Sequence, residues 1–280
     1  MSARIAIVMP AYRAETIIHN AVGSVLAQTV ADWQIVIVAD DGVDYEAALR
    51  ERGIVDARIR FLATPTRKSG ASAARNVALE AIDTPFAALL DADDRFHPEK
   101  LARCLAALET HAIVSTAIDV VDTDFRHLRY VGKGVDRPLT AGRHKFVNLS
   151  MDSMIAWDRR RTDARCDATL PNMNDLDLLI RLYAHAPDGS FHIGTPLHDY
   201  VKVPTSLSNA PTVTERMVAS KTTMMARLRD GHYGVSEEAV AGLTKFLMIS
   251  IAAERAWREV SATTPGALFE DHIEPRLRDA

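Results

Sequence analysis

Residues 86–101 have the sequence FAALLDADDRFHPEKL, the most informative stretch in the chain. Five apolar residues lead directly into three carboxylates, Asp91, Asp93 and Asp94, with Ala92 between the first two. A short apolar run of this kind is typical of a buried strand. Alternation along a strand places Asp91 and Asp93 on one side and turns Ala92 away. The stretch therefore predicts a core strand whose end carries paired negative charge.

Paired carboxylates at a strand end predict a site for Mn²⁺ or Mg²⁺. Such ions take one or two carboxylates and complete their shell with water and substrate phosphates. The candidate metal ligands are Asp93 and Asp91, with Asp94 close enough to share the task. The alternative is an acidic loop in which Asp94 caps the helix that starts near Pro98. A DxD motif is also found in aspartyl-phosphate phosphatases, but there it follows the first strand, whereas here it follows about the fourth.

Strand and helix patterns alternate through residues 4–110. The predicted strands are RIAIVM, WQIVIVA, RIRFLA and FAALL, and the predicted helices cover about 14–28, 44–52 and 71–82. This alternation predicts an α/β fold with a largely parallel sheet and ligands at the carboxyl ends of its strands. The polar clusters Pro10–Tyr12, Asp40–Asp41 and Asp91–Asp94 all follow predicted strands.

The second half of the chain has a looser pattern. It contains one further predicted strand and three predicted helices, at about 112–121, 174–184, 213–229 and 236–260. We predict a first domain of about residues 1–210 and a C-terminal helical extension over 211–280. The apolar residues of the extension have the spacing of a helical core. The alternative is that they form a homodimer or peripheral-membrane face.

Composition excludes several classes of protein. The net charge of −4 over 280 residues gives no electrostatic case for nucleic acid or anionic membrane. Cys104 and Cys166 lack metal spacing and are expected to be reduced, buried thiols of a cytoplasmic protein. The apolar N-terminal run is too short for a signal peptide, and FLMISIAA at 246–253 is too short to span a bilayer. Peripheral attachment to the inner membrane surface stays open.

A second acidic strand end occurs in IVIVADDG. Asp40 or Asp41 could accept hydrogen bonds from a nucleobase or ribose, although Asp-Asp-Gly is also ordinary turn chemistry. Lys68 and Arg75, in KSGASAARN, could meet a diphosphate or simply form a solvated face. The chain has no G-x-G-x-x-G after its first strand and no P-loop, which disfavours dehydrogenases and P-loop NTPases.

The order of these segments resembles a known family. IAIVMPAY, SVLAQTVADWQIVIVADDG, GASAARNVALEA and FAALLDADDRFHPEKL are similar, in that order, to the successive motifs of family 2 glycosyltransferases, and NDLDLLIRL at 174–182 continues the likeness. The resemblance implies the GT-A fold, a nucleotide-sugar donor, a divalent metal and inversion of the anomeric centre.

The resemblance also implies roles for individual residues. Asp91 and Asp93 would be the DxD pair, and NDLDLLIRL matches E-D-x-D-L-x-x-R-L, which places the catalytic base at Asp175. Asp177 is better explained as an ion-pair partner of Arg181, four residues later. The donor-binding residues, including the two cations noted above, are then Pro10, Ala11, Tyr12, Asp40, Asp41, Lys68, Arg75, Asp91, Ala92 and Asp93.

Three classes of function remain open at this point. The first is an inverting transferase that moves a sugar, with a UDP-sugar favoured, to a saccharide, lipid-linked or small-molecule acceptor. The second is a nucleotidyltransferase, which would be expected to carry a Gly-rich basic loop after the first strand. The third is a non-catalytic nucleotide-sugar binder, which would lack a usable base at Asp175. In that case Asp175 would only cap its helix.

Four positions depart from the family pattern. Arg13 stands where the family usually has Asn, and Val43 replaces a hydroxyl residue. Asn174 replaces the usual Glu before the base, and Val203 stands where a late His would be. Lys202 is a candidate for the missing positive charge. These changes bear on which acceptor is used and on how the protein closes over the donor, more than on the fold.

Overall fold

The computed structural model describes residues 3–150, 152–202, 213–264 and 266–280. Within them the chain forms one ten-stranded mixed sheet with helices on both faces. The strands are β1 Ile5–Ala11, β2 Trp33–Ala39, β3 Ile59–Ala63, β4 Phe86–Leu89, β5 Arg95–Phe96, β6 Ile113–Val121, β7 His127–Val131, β8 Arg137–Leu139, β9 Ala156–Asp158 and β10 Ser190–Val201. The helices are α1 Ile18–Leu26, α2 Tyr45–Arg50, α3 Ala71–Ala81, α4 Lys100–Leu108, α5 Ala141–His144, α6 Asn174–Tyr183, α7 Val213–Arg229, α8 Glu237–Thr263 and α9 Phe269–Arg278.

The first four strands form the parallel half of the sheet. The order is β3-β2-β1-β4-β9-β6-β10-β5, with β7 paired to β6 and β8 to β10. Ile5 of β1 lies opposite Trp33 on one side and Phe86 on the other, so the carboxyl ends of β1, β2 and β4 meet at one edge. Strand β9 is antiparallel to β4 and makes the sheet mixed. The prediction of a parallel sheet is thus confirmed for residues 4–90. It did not include the antiparallel strands that follow.

Alternation along β1 divides the core between the two faces of the sheet. Ile5, Ile7 and Met9 pack with α1, α2 and α4, whereas Ala6 and Val8 face α3 and α6. Every one of these five side chains is fully buried. This is the pattern of a central strand covered on both faces.

The C-terminal helices share the core of the α3–α6 face. Met224 of α7, Leu243 of α8 and Ile273 of α9 belong to the same apolar cluster as Ala6. Helix α8 crosses α5 so closely that a Cβ on Gly242 would lie 2.4 Å from the Cα of Gly142. The boundary predicted near residue 210 falls in 203–212, outside the described residues, and stays a prediction.

Two long elements were not predicted from the sequence. Strand β10 carries His, Gly and Pro within SFHIGTPLHDYV, and its pairing with β6 has register shifts around Pro196. Such irregularity removes the regular alternation that identifies a strand. Helix α9 contains Pro275 and few apolar residues. Of the helices described, none combines the length and apolarity that crossing a bilayer requires.

Candidate active site

Asp40 at the end of β2 has a structural role. It is 4% exposed, and its carboxylate accepts hydrogen bonds from the backbone N–H groups of Ser69 and Gly70 and from the Thr64 hydroxyl, each at 2.8 Å. All three donors belong to the loop between β3 and α3. Asp40 therefore fixes this loop, and its oxygens are used inside the protein.

Asp41, in contrast, is partly exposed at the same strand end. Its carboxylate accepts from the backbone N–H of Arg13 at 2.5 Å, from that of Val43 at 3.0 Å and from the Tyr45 hydroxyl at 2.9 Å. Burial opposes the charge, but these three donors hold the pKa of Asp41 below its usual range. The group is thus an ionised acceptor in a fixed position, and Tyr45 was not predicted from the sequence.

Arg13 adopts a left-handed backbone conformation, with φ of 53°. Asn enters this region more readily than most residues, which gives a physical reason for the residue usual in the family at this position. Here the Arg13 guanidinium lies over the ring of Tyr12, 5.3 Å from its centre. Tyr12 is 42% exposed, whereas Ala11 beneath it is buried and Pro10 is half-buried.

Two exposed cations of the β3–α3 loop lie beside this edge. The backbone N–H of Lys68 donates to the Asp40 carbonyl at 2.7 Å. Arg67 lies over Gly42, since a Cβ on that glycine would fall 2.4 Å from the Arg67 Nε. The sequence singled out Lys68 but not Arg67, because the position of Arg67 over Gly42 depends on how the loop folds back.

Arg75 of α3 forms a buried ion pair with the first aspartate of the DxD motif. Its Nη2 donates to Asp91 Oδ1 at 2.7 Å, and the arginine is 6% exposed. Burial opposes the guanidinium charge, but Asp91, followed by Cys166 and Asp175, holds the pKa of Arg75 above its usual range. The second oxygen of Asp91 accepts from the Ser153 hydroxyl at 3.3 Å. Arg75 is therefore not on a solvated face.

Asp93 and Asp94 lie in different surroundings. Burial and then the charge of Asp91 raise the pKa of Asp93 to about 6, and its side chain is partly exposed. Asp94 is 1% exposed, accepts from the Val201 backbone N–H at 2.9 Å and shares a hydrogen bond with His198 Nε2 at 3.3 Å. Asp94 thus anchors the segment that follows β4 to strand β10. Among the residues described, no side chain caps α4, so the capping role considered for Asp94 is absent.

The carboxylates fit a cation that shares its shell with a substrate. Among the described residues, no three His, Cys, Asp or Glu side chains converge into a metal-binding group. Asp91 and Asp93 are close enough for the charge of one to raise the pKa of the other, and a divalent ion would relieve that repulsion. The chain would then supply one or two ligands, as is usual for Mg²⁺ sites on phosphate substrates.

Asp175 lies in the first turn of α6, in the same cluster. Its Oδ2 accepts from the backbone N–H of Asp152 at 3.4 Å, and its charge raises the pKa of Arg75. The N-cap of α6 is Met173, in a left-handed conformation, and no side chain caps the helix there. Asp175 Oδ1 accepts from the backbone N–H of Leu176 in the first turn of α6, at 3.0 Å, so one of its oxygens serves the helix and the other faces the segment that carries Asp152.

A fully buried ion pair fixes the segment between Asp91 and Asp175. Lys145 Nζ donates to both oxygens of Asp152, at 2.8 and 2.9 Å, and to the Ser150 carbonyl at 2.6 Å. Burial raises the pKa of Asp152 to about 7 although Lys145 opposes the shift. In this segment the Asp152 N–H donates to Asp175, and the Ser153 hydroxyl donates to Asp91. No sequence pattern indicated this pair.

Helix α9 reaches the same region through Glu270. Glu270 is 2% exposed, and its Oε1 accepts from Lys202 Nζ at 2.7 Å and from the Ser150 hydroxyl at 2.8 Å. Lys202 also lies over the Tyr200 ring, 4.5 Å from its centre. Burial, then Glu270, Asp94, Asp93 and Asp175, raise the pKa of Tyr200. The Tyr200 hydroxyl is thus close to the acidic cluster. Val203 lies outside the described residues.

The remaining polar residues of α6 have structural partners. Asp177 is buried and accepts from Arg181 at 2.7 Å, as predicted, and also from Arg227 and Tyr233 at 3.1 and 2.7 Å. It therefore links α6 to the C-terminal helices. The Asn174 amide donates to two carbonyls of the preceding loop, at 3.0 and 2.9 Å.

The fold and these motifs define a known class. The sequence model of Glycosyl transferase family 2 matches residues 6–160, more than half of the chain. The chain therefore belongs to glycosyltransferase family 2. A curated relative from Escherichia coli, the UDP-Glc:alpha-D-GlcNAc-diphosphoundecaprenol beta-1,3-glucosyltransferase WfgD, is 38% identical over 97 residues, 35% of this chain. The match spans only 38% of that relative's own length.

Solved structures confirm the predicted GT-A fold. S. aureus TarS 1–349 in complex with UDP-GlcNAc superposes with a TM-score of 0.69 and 16% identity, covering 99% of this chain and 79% of that one. The mannosyltransferase PcManGT from Pyrobaculum calidifontis, in complex with GDP-Man and Mn²⁺, superposes with a TM-score of 0.58 and 12% identity. It covers 96% of this chain and 77% of the other.

Proposed function

We propose that this protein is an inverting glycosyltransferase that moves a sugar from a nucleotide-diphosphate sugar to an acceptor hydroxyl, in polysaccharide or glycoconjugate synthesis. The observation that carries the proposal is the convergence of Asp91, Asp93 and Asp175 around the buried Arg75. A UDP-sugar is favoured because WfgD is named for UDP-Glc and TarS binds UDP-GlcNAc. The acceptor is a saccharide, a lipid-linked sugar or a small molecule, and nucleic acid plays no part.

The donor is proposed to lie across the carboxyl ends of β1, β2 and β4. Asp41 accepts a hydrogen bond from the nucleobase, and the exposed Tyr12 ring covers the base. Lys68 and Arg67 lie at this edge as counter-charges for the diphosphate. Arg75 contributes by fixing Asp91, since its guanidinium already donates to that carboxylate.

Asp93, with Asp91 beside it, is the proposed holder of Mn²⁺ or Mg²⁺. Asp94 is left out because both of its oxygens form hydrogen bonds with β10 in the protein interior. When bound, the cation neutralises the charge that develops on the departing nucleoside diphosphate.

Asp175 is the proposed catalytic base. It takes the proton from the acceptor hydroxyl, whose oxygen forms the new bond to the anomeric carbon from the face opposite the nucleotide. The bond from that carbon to the diphosphate breaks, and the electron pair leaves with the nucleotide. Lys145 and Asp152 keep the Asp175 carboxylate in place through the Asp152 N–H. This single displacement needs no covalent intermediate.

A screen of nucleotide sugars tests donor binding directly. Melting temperature is measured with UDP-, GDP- and dTDP-sugars in the presence of Mn²⁺. A ligand that binds only the native state stabilises it by an amount that grows with the logarithm of its concentration relative to its Kd. The proposal expects one nucleotide class, UDP favoured, to raise the melting temperature. A non-catalytic binder would show the same shift without turnover, and a nucleotidyltransferase would prefer nucleoside triphosphates.

Replacing each aspartate of the β2 end should separate binding from folding. Asp41→Ala removes a partly exposed acceptor and should weaken nucleotide binding by about 1–3 kcal/mol. Asp40→Ala leaves three donors of the β3–α3 loop without their acceptor, so it should mainly lower the melting temperature. Calorimetric titration and thermal melts of both variants measure the two effects. Loss of binding in a stable Asp40→Ala variant would reverse the assignment within the pair.

Glu270 is expected to act as a positioning residue through Lys202. Glu270→Gln and Lys202→Met should each raise the donor KM by about tenfold, the usual size of a hydrogen bond between charged groups. Because one removes the partner of the other, the double variant should lose no more than either single variant. Glu274→Gln, which changes an acid of α9 that pairs with Arg129 instead, is the matched control. Additive losses would show that Glu270 acts independently of Lys202.

A further inference from the structure

A wide apolar groove lies between the C-terminal helices, and the proposed reaction does not use it. Its cavity volume is about 1050 Å³, similar to that of a ligand pocket. Met248, in the middle of α8, lines it and is 58% exposed. Most of the other uncharged side chains of its lining come from α7 and α8, among them Met225, Val240, Ile249 and Ile251, and Ala280 lies at one end.

The charged side chains of the groove are all basic. They are Arg229, Lys245, Arg255 and Arg276, and no Asp or Glu lines it. Arg229 pairs with Asp230, and Lys245 donates to an oxygen of Ala280, which also lines the groove. Within the described part of the chain, Arg255 and Arg276 form no ion pair. The groove is therefore basic although the whole chain carries a net charge of −4.

We propose that this groove docks the protein on an anionic lipid bilayer. An acyl chain would occupy the apolar floor, and lipid phosphates would meet the four cations at the rim. Apolar side chains bordered by Lys and Arg are the features by which helices bind an anionic interface. The net charge of the whole chain does not oppose this, because exposed charges beyond about 10 Å are largely screened.

Charge disfavours a second copy of the chain as the occupant. An isologous dimer through this surface would bring the same four cations from each copy together. Like charges across an interface cost binding energy. A homodimer through the C-terminal helices, which the sequence left open as an alternative together with a peripheral-membrane face, thus becomes the competing outcome of the test below.

Vesicle co-sedimentation tests the proposal with the whole chain. The protein should bind vesicles of phosphatidylcholine with phosphatidylglycerol, more weakly at high salt, and should not bind pure phosphatidylcholine. The double variant Arg255→Ala, Arg276→Ala should bind about 30-fold less tightly, the loss expected when two cations leave an anionic surface. Met248→Glu should also weaken binding, because it places a negative charge in the apolar floor.

The control variant removes two cations at and just after the end of α2, neither of which lines the groove. Arg50→Ala with Arg52→Ala changes the net charge equally and should leave vesicle binding intact. Equal losses in the control and the groove variant would overturn the proposal, as would the absence of any preference for phosphatidylglycerol. A dimer in light scattering that Met248→Glu dissociates, without vesicle binding, would assign the groove to a second copy instead.

Discussion

Asp175→Asn is expected to lower the rate of sugar transfer by roughly 10²–10⁴-fold, the contribution of a positioned general base. The amide keeps the shape of the side chain but cannot take up the acceptor proton. Donor affinity and melting temperature should stay nearly unchanged, because Asp175 is partly exposed and the Asn carbonyl can still accept from the Leu176 N–H. Steady-state rates at saturating donor, with donor titration and thermal melts, measure all three quantities.

Asp177→Asn is the matched control, two residues further along α6. Asp177 is buried and accepts from two arginines and a tyrosine, so its replacement should lower stability. Transfer per folded molecule should be preserved, since this carboxylate faces the C-terminal helices. Normal turnover in Asp175→Asn would contradict the assignment of the base.

Asp93→Asn is expected to abolish the metal dependence of nucleotide binding. The wild-type protein should bind UDP, or the nucleotide found by the screen, far better with Mn²⁺ or Mg²⁺ than with EDTA. The variant should bind it equally weakly in both, because the amide removes the negative charge that would hold the cation. Calorimetric titration with and without the metal measures the difference.

Asp94→Asn separates the two neighbouring carboxylates. Asp94 is buried against β10, so its replacement should lower the melting temperature but leave the response to metal intact. Loss of the metal response in Asp94→Asn, with retention in Asp93→Asn, would return Asp94 to the metal site and exclude Asp93.

The parallel half of the fold could be predicted because its signals are local. The apolar runs of β1, β2 and β4 are strands buried on both faces, and such runs are visible in the sequence alone. Each ends in the polar residues that now lie at one sheet edge. Their meeting follows from parallel pairing, which the alternation of strands and helices predicts.

The rest of the site depends on contacts between distant parts of the chain. Glu270 accepts a hydrogen bond from Ser150, 120 residues earlier in the chain, and no sequence pattern near either residue indicates this contact. Lys145 and Asp152 are only seven residues apart, but the burial of their ion pair follows from α5 packing against the long helix α8. The separate roles of Asp40 and Asp41 are likewise set by the fold of a loop more than 20 residues away.

Identification of the nucleotide product tests the central claim most directly. The protein is incubated with Mn²⁺, the nucleotide sugar that raises its melting temperature and a mixture of saccharide acceptors, and the products are followed by mass spectrometry and NMR. The proposed mechanism predicts release of the nucleoside diphosphate and a new glycosidic bond of inverted configuration at the anomeric carbon. Retained configuration, or turnover that forms pyrophosphate from a nucleoside triphosphate and a sugar phosphate instead, would contradict it.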